Sequence, residues 1–87
     1  MPSAAYEIRF TRRAEKDVKK LTPQLRRKLH EILTEVIAHD PFQGKKLVGD
    51  LVGSYSYRLT YKDRIVYSID GRNRVLYIER AATHYGE

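Results

Sequence analysis

From Tyr55 to Ala82 the chain carries three segments rich in β-branched and aromatic residues: Tyr55 to Tyr61, Arg64 to Asp70 and Arg74 to Ala82. Only Lys62-Asp63 and Gly71-Arg72-Asn73 separate them. Breaks this short cannot hold a crossover, so the strands must run antiparallel as a meander. The last segment is apolar on both faces (Val75, Leu76, Tyr77, Ile78), which suits an interior place in the sheet.

The first half of the chain supplies what covers that sheet. Tyr6, Ile8 and Phe10 alternate with polar residues, as in a half-buried strand. Thr11 offers an N-cap hydroxyl, and Ala14, Val18 and Leu21 follow at helical spacing, so Arg12 to Leu21 is predicted to be a short helix. Thr22-Pro23 is a second helix start. Leu25, Leu29, Ile32, Leu33, Val36 and Ile37 then mark one apolar stripe, with Arg26, Arg27, Lys28, Glu31 and Glu35 on the other face. Asp40-Pro41 ends this helix. Pro41 to Gly53 reads as a loop containing Lys45 and Lys46. The order β-α-α-β-β-β predicts an α+β fold. A helical hairpin covers one face of a small, mostly antiparallel, twisted sheet and leaves the other face partly open. At 87 residues the chain has room for one domain, spanning 1–87.

The hydrophobic pattern also fixes the faces of the central hairpin. Tyr55, Tyr57, Leu59 and Tyr61 share one face of their strand; Ile65, Tyr67 and Ile69 share one face of the next. A two-residue turn at Lys62-Asp63 mixes the apolar rows with the arginines. A three-residue loop, Tyr61-Lys62-Asp63, pairs Thr60 with Arg64, keeps the apolar rows together and sends Arg58 and Arg64 to the open face. Two arginines so placed can grip a phosphate bidentately, although a solvated polar face also carries exposed arginines.

Lysine and arginine total 17 against 11 acidic residues, a formal net charge of +6, which points to a nucleic acid or an acidic protein as partner. The absence of cysteine excludes disulfides, thiol catalysis and cysteine-based zinc sites. His30, His39 and His84 lack metal-ligand spacing, so neither a metal nor another cofactor is expected. Met1 to Ala5 lacks the order of a signal peptide, and no apolar stretch approaches the ~20 residues that span a bilayer, so the expected place is the cytoplasm, without membrane contact. At the end of the chain, His84 can exchange a proton near neutral pH, and Tyr85 can stack on a base.

Taken in order, Asp40-Pro41-Phe42-Gln43-Gly44, Tyr57-Arg58-Leu59, Asp63-Arg64-Ile65-Val66-Tyr67 and His84-Tyr85 resemble the RelE/ParE toxins of type II toxin–antitoxin systems, most closely the RelE and YoeB messenger RNA interferases. The resemblance covers nearly the whole chain. It implies a toxin held by a cognate antitoxin in a hetero-oligomer. It also implies an endoribonuclease that cuts translated messenger RNA in the A site of the 70S ribosome, the ribose 2′-hydroxyl attacking the adjacent phosphate. By position, Arg64 would stabilise the charged phosphate and Arg58 would hold it. His84 would be the general acid and Tyr85 would position or stack the substrate. Lys45, Lys46 and Lys62 are assigned to the RNA backbone on electrostatic grounds. One departure stands out: the YoeB-like loop glutamate is missing, and Asp50 is the only carboxylate between Gly44 and Gly53. The alternatives are a ParE-type toxin that inhibits DNA gyrase and a non-catalytic RNA- or protein-binding module of the same fold.

Overall fold

Thr11 turns the chain from strand to helix within a single residue. In the computed structural model, which describes residues 5–48 and 53–83, its hydroxyl accepts from the Ala14 amide at 3.2 Å. Strand β1 (Glu7–Phe10) thus leads directly into helix α1 (Arg12–Lys19). Thr22 repeats the device, accepting from the Leu25 amide at 3.2 Å, with Pro23 at the first helical position of α2 (Pro23–Glu31). Between the helices the Arg26 guanidinium donates twice to the Leu21 carbonyl, at 3.1 and 3.2 Å. The predicted stripe holds, and Leu29, Leu33 and Ile37 are all buried. The last turns differ from a plain α-helix: Ile32–Ile37 winds as a π-helix, and the Ala38 amide reaches back five residues to the Leu33 carbonyl at 2.9 Å.

The sheet has five strands in the order β1-β5-β4-β3-β2, formed by β2 (Lys45–Lys46), β3 (Ser54–Arg58), β4 (Arg64–Asp70) and β5 (Val75–Thr83) besides β1. As the pattern required, β5 is interior, parallel to β1 and antiparallel to β4. Strand β2 lies in the stretch predicted as loop and pairs with β3, Lys45 opposite Ser56 and Lys46 opposite Tyr55. A 3-10 turn at Pro41–Gln43 delivers it to that edge. There the buried Tyr67 hydroxyl donates to the Pro41 carbonyl at 2.6 Å, and a side chain at Gly44 would overlap it.

The β3–β4 connection differs from the predicted three-residue loop. Arg58, not Thr60, stands opposite Arg64, so the loop runs from Leu59 to Asp63. Leu59 leaves the ladder because its side chain is buried in the core. The Thr60 hydroxyl accepts from the amides of Lys62 and Asp63, and the Asp63 carbonyl accepts from the amides of Leu59 and Thr60. The slip is two residues, an even number, so the face assignment survives it for the paired residues, whereas Tyr61, expected in the apolar row, falls in the longer loop and stands exposed. Ile65, Tyr67, Leu76 and Ile78 lie beneath the helices with Leu29, Leu33 and Ile37, and Arg58 and Arg64 share the opposite face.

Candidate functional site

Opposed residues of an antiparallel pair have Cβ atoms roughly 5 Å apart, and like charges placed so repel one another. Arg58 and Arg64 are such a pair. Among the described residues neither forms an ion pair with a carboxylate. The sheet therefore concentrates positive charge at a point where nothing within the described fold compensates it.

Around them opens a groove of about 500 Å³, lined among others by Lys28, Lys45, Ser56, Arg58, Tyr61 and Arg64. Four cations thus converge from three parts of the chain: Lys28 from α2, Lys45 from the edge strand, and the two arginines from the central hairpin. No carboxylate lines the groove among the described residues. Ser56 is almost fully buried, and its hydroxyl is the one buried side-chain polar atom without a hydrogen-bond partner among the described residues. Tyr61 stands 86% exposed at the rim, an aromatic face open to stacking. This constellation can hold an anion through charge-assisted hydrogen bonds and a flat aromatic group beside it.

The residues anticipated from sequence divide. Arg58, Arg64 and Lys45 come together in the groove. Lys46, the next residue of β2, points to the other pleat face and lines a separate cavity with Phe42, Leu47, Tyr55 and Ile69. Lys62 is exposed in the loop beside the groove and does not line it. His84, Tyr85 and the loop carboxylate Asp50 lie outside the described residues. Thr83, the residue before His84, pairs with Arg64 in the sheet. The spacing of Lys28 puts it on the solvent face of its helix. Only tertiary packing brings it to the strand edge, and its spacing carries no signal of that. Ser56 and Tyr61 were also missed; the Tyr-Ser-Tyr-Arg alternation puts Ser56 on the arginine side, which was readable.

A second concavity, of about 380 Å³, lies between β1 and the helices and is apolar, bounded by Ile8, Phe10, Val18, Leu29 and Leu33. Among the described residues no group of His, Cys, Asp or Glu is placed to hold a metal ion, and no helix is long and apolar enough to cross a membrane.

A helical hairpin on one face of a five-stranded mixed sheet is the architecture of the RelE-like toxins. Over residues 8–86 the chain matches the ParE-like toxins of type II bacterial toxin–antitoxin systems, and it belongs to that family. Among solved structures it resembles a chain of the RelBE2 toxin–antitoxin complex of Mycobacterium tuberculosis, at 30% identity and TM-score 0.82, covering 90% of this chain and 96% of that one. The YoeB–YefM toxin–antitoxin complex of Staphylococcus aureus matches at 27% identity and TM-score 0.75, over 94% of this chain and 100% of the other. The isolated Escherichia coli RelE toxin matches at 26% identity and TM-score 0.75, over 95% and 88%. Searched by sequence against curated proteins, the chain finds no match.

Proposed function

We propose that this toxin is an endoribonuclease that cuts messenger RNA in the ribosomal A site. The observation that carries the reading is the opposed pair Arg58–Arg64, joined by Lys28 and Lys45 in one groove. In the proposed step the ribose 2′-hydroxyl loses its proton to a base and attacks the neighbouring phosphorus. The bond to the 5′-oxygen breaks, and that oxygen takes a proton from an acid, leaving a cyclic phosphate. The extra negative charge on phosphorus would fall between Arg58 and Arg64, where fixed donors are most effective. His84, which follows the residue paired with Arg64, is assigned as the acid, and Tyr85 positions the substrate. The toxin is held by a cognate antitoxin, as the RelBE2 and YoeB–YefM complexes suggest.

The match to ParE-like toxins favours a second reading, inhibition of DNA gyrase without RNA cleavage. Primer extension on messages from bacteria briefly expressing wild type or Arg64→Ala separates the two. Cuts within translated codons that vanish in Arg64→Ala support the ribonuclease. Growth arrest with intact messages discards it and leaves gyrase inhibition.

A further inference from the structure

The positive charge of this protein is not spread over it. Residues 12–28 contain eight lysines and arginines against Glu15 and Asp17, a net +6 equal to the formal charge of the entire chain. Elsewhere nine basic residues meet nine acidic ones. Within that stretch Arg26 is committed to the Leu21 carbonyl and Lys28 to the groove. Arg27 lies on α2, and the other five gather on α1 and its C-cap. At 3.6 residues per turn, Arg12, Arg13, Lys16, Lys19 and Lys20 fall within an arc of about 120°, while Ala14 and Val18 occupy the opposite side. All five are exposed, and none forms an ion pair among the described residues. Since α1 lies on the helix-covered face, this stripe faces away from the open face that carries Arg58 and Arg64.

Like charges three and four residues apart repel, so the stripe is an arrangement the helix carries at its own cost. We infer that the α1 stripe is a docking surface for an RNA phosphate backbone, separate from the cleavage groove. The choice of RNA over an acidic protein comes from what the stripe lacks. Protein interfaces are built on apolar or aromatic anchors and are poor in lysine. Here three of the five residues are lysines and no apolar side chain lies within the arc; the apolar concavities beside α1, at Phe10 and Val18, meet the stripe only at Lys19. A row of mobile cations about one helical turn apart suits successive phosphates, whose neutralisation releases counterions. The choice of ligand rests on the ribonuclease reading; the existence of the surface does not.

The test uses a fluorescent duplex RNA with 2′-O-methyl riboses, which cannot be cut. Binding is followed by anisotropy from 50 to 200 mM NaCl for wild type, Arg13→Gln/Lys16→Gln/Lys20→Gln, and Lys16→Arg/Lys20→Arg. The first variant is expected to lower the slope of log K against log salt by about 2 to 3, close to 0.9 per lost contact, with the thermal unfolding midpoint retained or raised as like-charge repulsion is relieved. The arginine variant keeps the wild-type slope. An unchanged slope and affinity in the glutamine variant overturns the inference. So does a variant that binds RNA normally and loses its antitoxin, because the stripe is then a protein interface. Loss of RNA binding by the glutamine variant, together with intact messages in the primer-extension experiment, leaves the docking surface standing and removes only the ribonuclease.

Discussion

Gly44 and Tyr67 set the position of the groove's outer edge. Tyr67 is fully buried, stacked on Tyr55 with ring centroids 5.8 Å apart, and its hydroxyl holds the Pro41 carbonyl at 2.6 Å. A Cβ at position 44 would overlap that hydroxyl, so Gly44→Ala must displace either the ring or the strand bearing Lys45. The expected cost is about 1–3 kcal/mol by chemical denaturation, in line with other overpacked sites. In a Tyr67→Phe background, where the overlapping atom is gone, the added cost should be clearly smaller; equal costs would mean the overlap is relieved elsewhere. Tyr67 also makes the fold sensitive to alkali. Burial pushes its phenol from 10.0 up to about 12, against the opposing hydrogen bond of the Gly44 amide. A raised folded-state value means the contribution is complete below the ordinary tyrosine value and is lost as pH climbs toward the folded one. Stability should therefore fall between pH about 10 and about 12, measured as denaturation midpoints at stepped pH, and Tyr67→Phe should shed that part of the loss.

Among the elements, the junction of α1 with the end of β5 is held by one carboxylate. Asp17 accepts from Arg80 at 2.8 and 3.2 Å and from the Ala81 amide at 3.0 Å. Burial raises the Asp17 carboxyl, but the hydrogen bonds from Arg80 and Ala81, with the charges of Arg80 and Lys20, outweigh it and leave it below the usual carboxylate range. A lowered folded-state value contributes stability above the unfolded value of 3.8 that disappears as pH falls through the folded one. Asp17→Ala should cost about 1.5–3 kcal/mol near neutral pH and flatten the acid limb of the stability curve. An acid limb identical to wild type would show that other carboxylates dominate it. Because β5 runs on to Thr83 beside Arg64, the same variant should reduce the proposed RNA cutting while the groove's own residues remain. At this scale the sequence was informative wherever period decided the matter. The meander, the buried helical stripe and the shared face of Arg58 and Arg64 all follow from period 2 or 3.6. The loop length did not, because Leu59 could be paired or buried with the same parity, and the Thr60 hydroxyl network decided between them. Strand β2 was illegible for a similar reason: two lysines carry no β pattern, and the tertiary contact of Tyr67 with the Pro41–Gln43 turn brings them to the edge.

Over the whole molecule, charge is segregated while the core is shared. Folding places a stretch of net +6 on the layer that shields the core, and repulsion within that layer works against the compact state. Lys16 is the centre of it. Arg12 and Lys20 stand four residues away on either side, and Arg13 and Lys19 stand three away, so four like-charge contacts converge on one side chain. Each such contact costs about 0.2–0.5 kcal/mol, and reversing the charge at 16 makes all four attractive. Lys16→Glu should accordingly gain ~1 kcal/mol or more at low ionic strength, a rise of roughly 4–8 °C in the thermal midpoint for a domain of this size. The gain should shrink as salt rises from about 0.01 to about 0.1 M, where the screening length contracts from ~30 to ~10 Å, comparable with the length of the stripe. Scanning calorimetry across that range checks it. A midpoint that falls, or a gain indifferent to salt, would place the stabilisation outside the charge pattern. The same substitution should weaken the proposed RNA binding, so a more stable and less adhesive protein would be the direct sign that α1 holds its cations for a ligand and not for the fold.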